Sequence, residues 1–311
     1  MENPGADPIE ARQEAGLHEV AVLLQLVDRQ HYEPWLVGKM VGGEPRIREA
    51  LAIALGRIGD PRGRAELERL VVDGEPRVRR AAAFALGLLE DWGAAPMLLW
   101  VAADPDPETG VLAVEALARI GVPLERVQQA LQEVEDAAER RRRLLPALFR
   151  FQEEARVAVA REVWRCASSP PSAGTTAGGE CAGTRDPEVR RWAAYALARE
   201  PLPEARPDLL TLLADADTVI RAWGAKALGR VGTGEDLTAL RGLLRDPEPG
   251  PVIEALRAGA ELVERGDAAP PADWRDELLR LLDDPRPGVR VTAIEAAGVW
   301  LLDQALGAAL A

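Results

Sequence analysis

The stretch PRVRRAAAFALG, Pro76 to Gly87, returns along the chain at a nearly fixed interval, and no other feature limits the fold so tightly. With Val78 as the marker, equivalent positions fall at Ile47, Thr109, Arg140, Val189, Ile220, Val252 and Val289. The first four markers stand 31 residues apart, and the later steps are 49, 31, 32 and 37. Seven places beyond the marker stands Ala54, Ala85, Ala116, Ala147, Ala196, Ala227 or Ala296, with Gly259 the exception. A small residue returning to one slot at such a period specifies stacked supersecondary units rather than one globular core.

Each unit reads as a pair of helices. The marker and the residues three, seven and eight places later share one face of a 3.6-residue helix. The alanine slot keeps that face flat, so a neighbouring helix can approach closely. Asp186-Pro187, Asp246-Pro247 and Asp284-Pro285 offer an N-cap carboxylate followed by a first-turn proline. Gly59, Gly121 and Gly232 are placed as left-handed C-caps. A second apolar run completes the unit, as in Ala65 to Val72, Met97 to Ala102 and Leu278 to Leu282. One such hairpin cannot bury its own apolar face, so neighbours must stack.

The pattern acid–Pro–x–Val–Arg–x–x–Ala–x–x–x–Ala–Leu–Gly resembles the HEAT-like repeats named after phycobilisome (PBS) lyases. The resemblance covers roughly residues 43 to 301. It implies an all-α fold, a right-handed α-solenoid of about eight HEAT-like hairpins. It names no activity, because such repeats serve scaffolds, lyases, a hydroxylase and DNA-repair enzymes alike.

The expected organisation is a flexible tail over 1–16, an N-terminal helical cap over 17–42 and repeats one to four over 43–167. A flexible insert over 168–184 and repeats five to eight over 185–311 follow, forming one continuous solenoid. The insert, SSPPSAGTTAGGECAGT, is rich in Gly, Ser, Thr and Pro and carries no apolar period, so disorder is expected there. Pro146 falls inside the fourth marker helix, where it should kink or break it.

Acidic residues number 51 against 38 basic, a net charge of −13, which argues against nucleic acid as a partner. The charge suits a protein partner, and a basic one is what it would attract. No apolar run suggests a membrane span or a signal peptide. Two cysteines in 311 residues suggest a reducing compartment, hence a cytoplasmic protein with Cys166 and Cys181 as free thiols.

The arginine one place after the marker recurs as Arg48, Arg79, Arg141, Arg190, Arg221 and Arg290. Aspartates five places before the marker recur as Asp73, Asp104, Asp215 and Asp284. In a stacked array these are expected to form an Arg–Asp ladder tying adjacent units, the alternative being a phosphate- or carboxylate-binding stripe, and bidentate geometry suits either. Trp192 and Trp223 share the slot three places after their markers, where units one and two carry Ala50 and Ala81. The two indoles should therefore neighbour each other.

Catalytic machinery is thin. Both histidines, His18 and His31, lie in the cap, and no CxxC, HExxH or P-loop occurs. A HEAT-repeat hydroxylase needs several His-Glu pairs, and only His18-Glu19 exists. The glycines of Gly229 to Gly234 fall at a helix end rather than after a strand, so they read as a cap. No cofactor and no metal are expected. The foremost expectation is a non-enzymatic protein-interaction scaffold, with Arg141, Arg142, Trp192 and Trp223 as candidate anchors around the disturbed units four to six. The alternative implied by the resemblance is a bilin lyase or chromophore chaperone, and a DNA glycosylase is weaker because it needs a basic groove.

Overall fold

The computed structural model describes residues 8–151, 153–168, 184, 186–266 and 272–310. Among the described residues there are helices, turns and bends and no strand. The chain is all-α and divides into two compact units, Met1–Gln152 and Glu153–Ala311.

The first unit opens with α1 (Pro8–Asp28) and α2 (Pro34–Met40), both packed on α3 (Pro45–Ile58). Then follow α4 (Arg64–Leu70), α5 (Pro76–Leu89), α6 (Ala95–Val101), α7 (Pro107–Ile120), α8 (Leu124–Ala130) and α9 (Ala137–Leu144). The second unit holds α10 (Glu153–Ser168), α11 (Pro187–Arg199), α12 (Arg206–Leu212), α13 (Thr218–Val231), α14 (Leu237–Leu243), α15 (Pro249–Glu264), α16 (Ala272–Leu282) and α17 (Pro287–Leu310). Within each unit the long marker helices stack on one another, α3 on α5 on α7 and α11 on α13 on α15 on α17. The short helices α4, α6, α12, α14 and α16 each pack on the marker helix that follows.

Close stacking depends on glycine meeting the alanine slot. A Cβ on Gly56 would lie 2.8 Å from Ala85 Cα, and one on Gly87 would lie 2.9 Å from Ala116 Cα. In the second unit the equivalent contact is Gly229 against Ala258, at 2.9 Å from its Cα. That contact corrects the seventh repeat. Its alanine slot is Ala258, its marker is the buried Pro251 rather than Val252, and Gly259 is no exception. Pro251 sits in the first turn of α15, where a missing N–H breaks no helical bond. The step from Ile220 then becomes 31 again.

Several local expectations change as well. The supposed tail is helical from Pro8, since α1 begins there. Gly59 and Gly121 adopt left-handed φ of 70° and 85°, as expected of C-caps, but Gly232 is extended at φ −72° and ψ 176°. Gly232 is required for space instead, because a Cβ there would lie 2.4 Å from Leu228 O. Asp186 caps α11, accepting from the backbone N–H groups of Glu188 and Val189. Asp246 and Asp284 do not cap helices. They lie two residues earlier and accept from Glu248 N and Arg286 N, bending the loop toward the helix. Asp73, Asp104 and Asp215 make the same turn with Glu75, Asp106 and Asp217.

Pro146 ends the α-helical geometry of α9: Leu145–Arg150 continues as 3-10 helix. The insert expected over 168–184 lies outside the described residues except at its ends, where Ser168 closes α10 and Thr184 is buried. Cys166 is disulfide-bonded, which overturns the expectation of free thiols. The other cysteine, Cys181, lies outside the described residues. Sequence separation alone carries no information on whether two thiols meet in space.

Candidate functional site

The arginines and aspartates come first, because they fix the frame on which any site sits. Arg48 donates to Asp73 through Nε at 2.6 Å and Nη2 at 2.8 Å. Arg79 grips Asp104 in the same fork, with both contacts at 2.9 Å. Arg221 grips Asp246 at 2.7 and 3.0 Å, and Arg190 meets Asp215 at 3.2 Å. Asp246 is a rung the sequence frame missed, for the same one-residue slip that misplaced the marker. Asp284 is instead held by Arg286 in its own loop, at 2.8 Å through both oxygens. Arg290 donates to the carbonyls of Asp284 and Pro285.

A second row runs beside the first. Arg80 pairs with Asp106 at 2.8 and 2.6 Å, and Arg191 with Asp217 at 3.0 and 2.6 Å. Here the arginine lies two places after the marker and the aspartate caps the next helix. The Arg80 guanidinium holds the Asp106 carboxyl far below the usual carboxylate range, with help from Thr109 against the opposing effect of burial.

Arg48, Arg79 and Arg221 also donate to carbonyls of their own entry loops, namely Gly43 O, Asp73 O and Asp215 O. Two repeats lack that arginine, having Gly110 and Val252 there, and the next repeat supplies a substitute. Arg143, only 3% exposed, donates to Ala102 O and Asp104 O at 2.9 Å. Gly110 makes room for it, since a Cβ there would lie 2.6 Å from Arg143 Nη1. Arg286 likewise reaches Asp246 O and Pro247 O. In the fourth repeat Arg140, not Arg141, takes the loop carbonyls, Val134 O and Glu135 O.

The four candidate anchors fall in different units. Arg141 and Arg142 lie on α9 in the first. Arg142 pairs with Glu139 at 3.1 Å, and Arg141 reaches Ala137 O at 3.4 Å, so both serve their own helix. Trp192 on α11 and Trp223 on α13 lie in the second, both half-buried. A third ring links them. Tyr195 stands between them, edge-on to Trp192 at 5.5 Å and to Trp223 at 5.4 Å between ring centroids. Such edge-to-face pairs hold rings in a defined tier. The other tryptophans divide cleanly: Trp164, Trp274 and Trp300 are buried, whereas Trp35, Trp92 and Trp100 in the first unit are exposed.

Beside the tier opens a groove of about 310 Å³ whose walls are Tyr195, Trp223 and Ala198. Its charged lining is Arg199, Lys226 and Arg230 against Glu261. Arg230 donates to Arg199 O at 3.0 Å, which sets its guanidinium along the rim. Arg265 closes the end of α13 by donating to Gly229 O, Arg230 O and Gly232 O. Tyr195, Lys226 and Arg230 escaped the sequence reading. Their signal was present, because the slots six and ten places after a marker share a helix face with slot three. A second groove, of about 410 Å³, lies in the first unit between Val72, Pro96, Met97 and Trp100 and is nearly all apolar. Among the described residues no cluster of His, Cys, Asp and Glu could hold a metal ion, and no helix is long and apolar enough to cross a membrane.

Stacked hairpins, a glycine–alanine seam and forked Arg–Asp rungs define a repeat protein. The sequence profile of HEAT repeats matches residues 67–148 and 180–261, and that of the PBS lyase HEAT-like repeat matches 47–73. The chain belongs to the HEAT-repeat family and is an all-α solenoid of that type. Similar solved structures include YibA of Escherichia coli, 15% identical, covering 95% of this chain and 98% of that one with a TM-score of 0.53. The karyopherin Kap121p, bound to the extreme C-terminus of the protein phosphatase Cdc14p, is 15% identical with a TM-score of 0.50; the match covers 93% of this chain and 36% of the karyopherin. The CpcE–CpcF phycocyanin lyase complex of Nostoc sp. PCC 7120 is 18% identical over 87% of this chain and 94% of that one, but its TM-score of 0.42 is too low to support an inference. These likenesses establish fold alone. No curated protein matches the sequence significantly.

Proposed function

We propose that this chain is a protein-binding scaffold whose working face lies in the second unit, on the Trp192–Tyr195–Trp223 tier and the groove beside it. The tier carries the proposal. A repeat array needs only small residues in the slot that these indoles occupy, as Ala50 and Ala81 show. Half-exposed Trp and Tyr beside arginine are the side chains that dominate binding energy where proteins meet. Arg141 and Arg142 leave the candidate set because Glu139, Asp136 and the backbone of α9 already engage them.

The net charge of −13 would draw a basic partner at long range, changing the association rate more than the final affinity. A cytoplasmic setting belongs to the same proposal, resting on sparse cysteine; the disulfide at Cys166 pulls against it. The second reading, a chromophore chaperone, draws on the PBS lyase-type repeat at 47–73 and on the aromatic groove, which offers a flat apolar wall.

Binding measured with the partner recovered by affinity purification tests the proposal. Trp192→Ala with Trp223→Ala should weaken association by about 2 kcal/mol or more, the usual hot-spot threshold. Unchanged affinity of a folded double variant sinks it. A shifted, intensified visible band on mixing with a bilin, abolished by the same variants, would favour the chromophore instead.

A further inference from the structure

The groove beside the tier carries a charge opposite to that of the protein, and this singles out what it can accept. Across the chain acids outnumber bases by 13, yet here Arg199, Lys226 and Arg230 face one carboxylate, Glu261. Lysine is scarce in this sequence, with only Lys39 and Lys226, and one of the two is placed here. Neither the Lys226 nor the Glu261 side chain makes a hydrogen bond or an ion pair among the described residues, although they line the same groove. Arg230 spends one Nη1 donor on Arg199 O, and its remaining guanidinium donors have no carboxylate among the described residues. Arg48, Arg79, Arg221 and Arg290 are committed to aspartates or loop carbonyls, and Lys226 and Arg230 take no part in that ladder.

Resting on the protein-binding face proposed above, we infer that the groove seats a short acidic segment of the partner. One aromatic or large apolar side chain of that segment packs on the Tyr195–Trp223 wall, and flanking carboxylates engage Lys226 and Arg230. Size agrees, since about 310 Å³ is at the small end of ligand clefts and suits one large side chain rather than an extended ligand. A neutral apolar segment would strip water from Lys226 and Arg230 without replacing it, an unfavourable exchange. A basic segment would meet three cations within the groove. The protein's overall negative charge does not rescue it, because salt screens charges beyond about 8 Å at physiological ionic strength. Carboxylate–guanidinium contacts are short and directional, so the rim sets the register while the aromatic wall supplies buried area.

The test uses the full chain and fluorescein-labelled short peptides with Glu and Asp around a central Phe. A twin with Lys for the acids and a third with Ala for the Phe serve as comparators. The acidic Phe peptide should bind, and raising salt should weaken it. Both the Ala peptide and the double variant Lys226→Gln/Arg230→Gln should bind at least about tenfold more weakly, each tenfold being 1.4 kcal/mol. Lys226→Gln alone touches no structural contact, so it reports on the groove even if the double variant proves unstable. The inference falls if the Lys twin binds as tightly, if no peptide binds, or if Lys226→Gln and the double variant keep full affinity. Displacement of the peptide by inorganic phosphate at comparable concentration would also overturn it, making the groove a small-anion site. Loss of the recovered partner on Trp192→Ala/Trp223→Ala, with indifference to the charge variants, would sink the acidic seat while leaving the binding face standing.

Discussion

Replacing Gly87 by alanine probes the seam on which the stacking rests. The added Cβ would lie 2.9 Å from both Cα and Cβ of Ala116, where 3.4–4 Å is ordinary contact. Neither atom belongs to a flexible side-chain end, so α5 and α7 must part by about half an ångström or more. Overpacking of this kind is unfavourable by about 1–3 kcal/mol. Removing a glycine from a helix interior returns about 0.5–1 kcal/mol, so the net destabilisation should be up to about 2.5 kcal/mol. Gly38 provides the matched control. It is exposed in α2 of the same unit with nothing within 4 Å of a new Cβ, so the same substitution should stabilise by about 0.5–1 kcal/mol. Urea unfolding followed by circular dichroism reads both, with the midpoint moving at unchanged slope. Two substitutions of identical chemistry should thus move stability in opposite directions. A Gly87→Ala that stabilises as much as Gly38→Ala would refute close glycine–alanine stacking of the marker helices.

The rungs should differ with burial. Arg79→Met strands Asp104, whose side chain is 4% exposed, and should destabilise by about 3 kcal/mol, whereas Arg191→Met at a rung 56% exposed should change stability by less than about 1 kcal/mol, both read by chemical unfolding. Arg143→Met should destabilise by about 1–3 kcal/mol, because Ala102 O and Asp104 O lose their shared donor inside the first unit. The pH dependence has a definite sign. Arg286 holds the folded Asp284 carboxyl at about 2 against a usual 3.8, so its contribution is complete above 3.8 and fades as pH falls through about 2. Asp284→Asn should therefore be less stable than the parent at neutral pH, with the gap closing across that acid window. A gap that persists unchanged at pH 2 contradicts the assignment.

The repeat frame was legible because alanine in one slot is a steric demand that few residues meet. Its slip in the seventh repeat came from Val252, a β-branched residue that looks like a marker beside the true one, Pro251. The rungs were half legible. Aspartate announces itself five places before a marker, but the substitute arginines Arg143 and Arg286 bind backbone carbonyls, which every residue carries and no sequence pattern betrays. Only Gly110, needed as space for Arg143, leaves a trace. The aromatic pair was found by its repeated slot, yet Tyr195 was overlooked because it lies in a different slot of the same face. The groove's charges were hidden by the whole-chain net of −13, which averages over the local reversal.

The claim that the second unit carries the binding face is tested most directly by hydrogen exchange of the full chain with and without its recovered partner. Protection should concentrate in 188–199 and 219–230, the lengths of α11 and α13 that hold the tier and the cationic rim. Exchange in 95–101, beside the apolar groove of Trp100, should stay unchanged within the limits of rigid-body binding. Protection confined to the first unit, with 188–199 and 219–230 exchanging as in the free protein, would contradict the account.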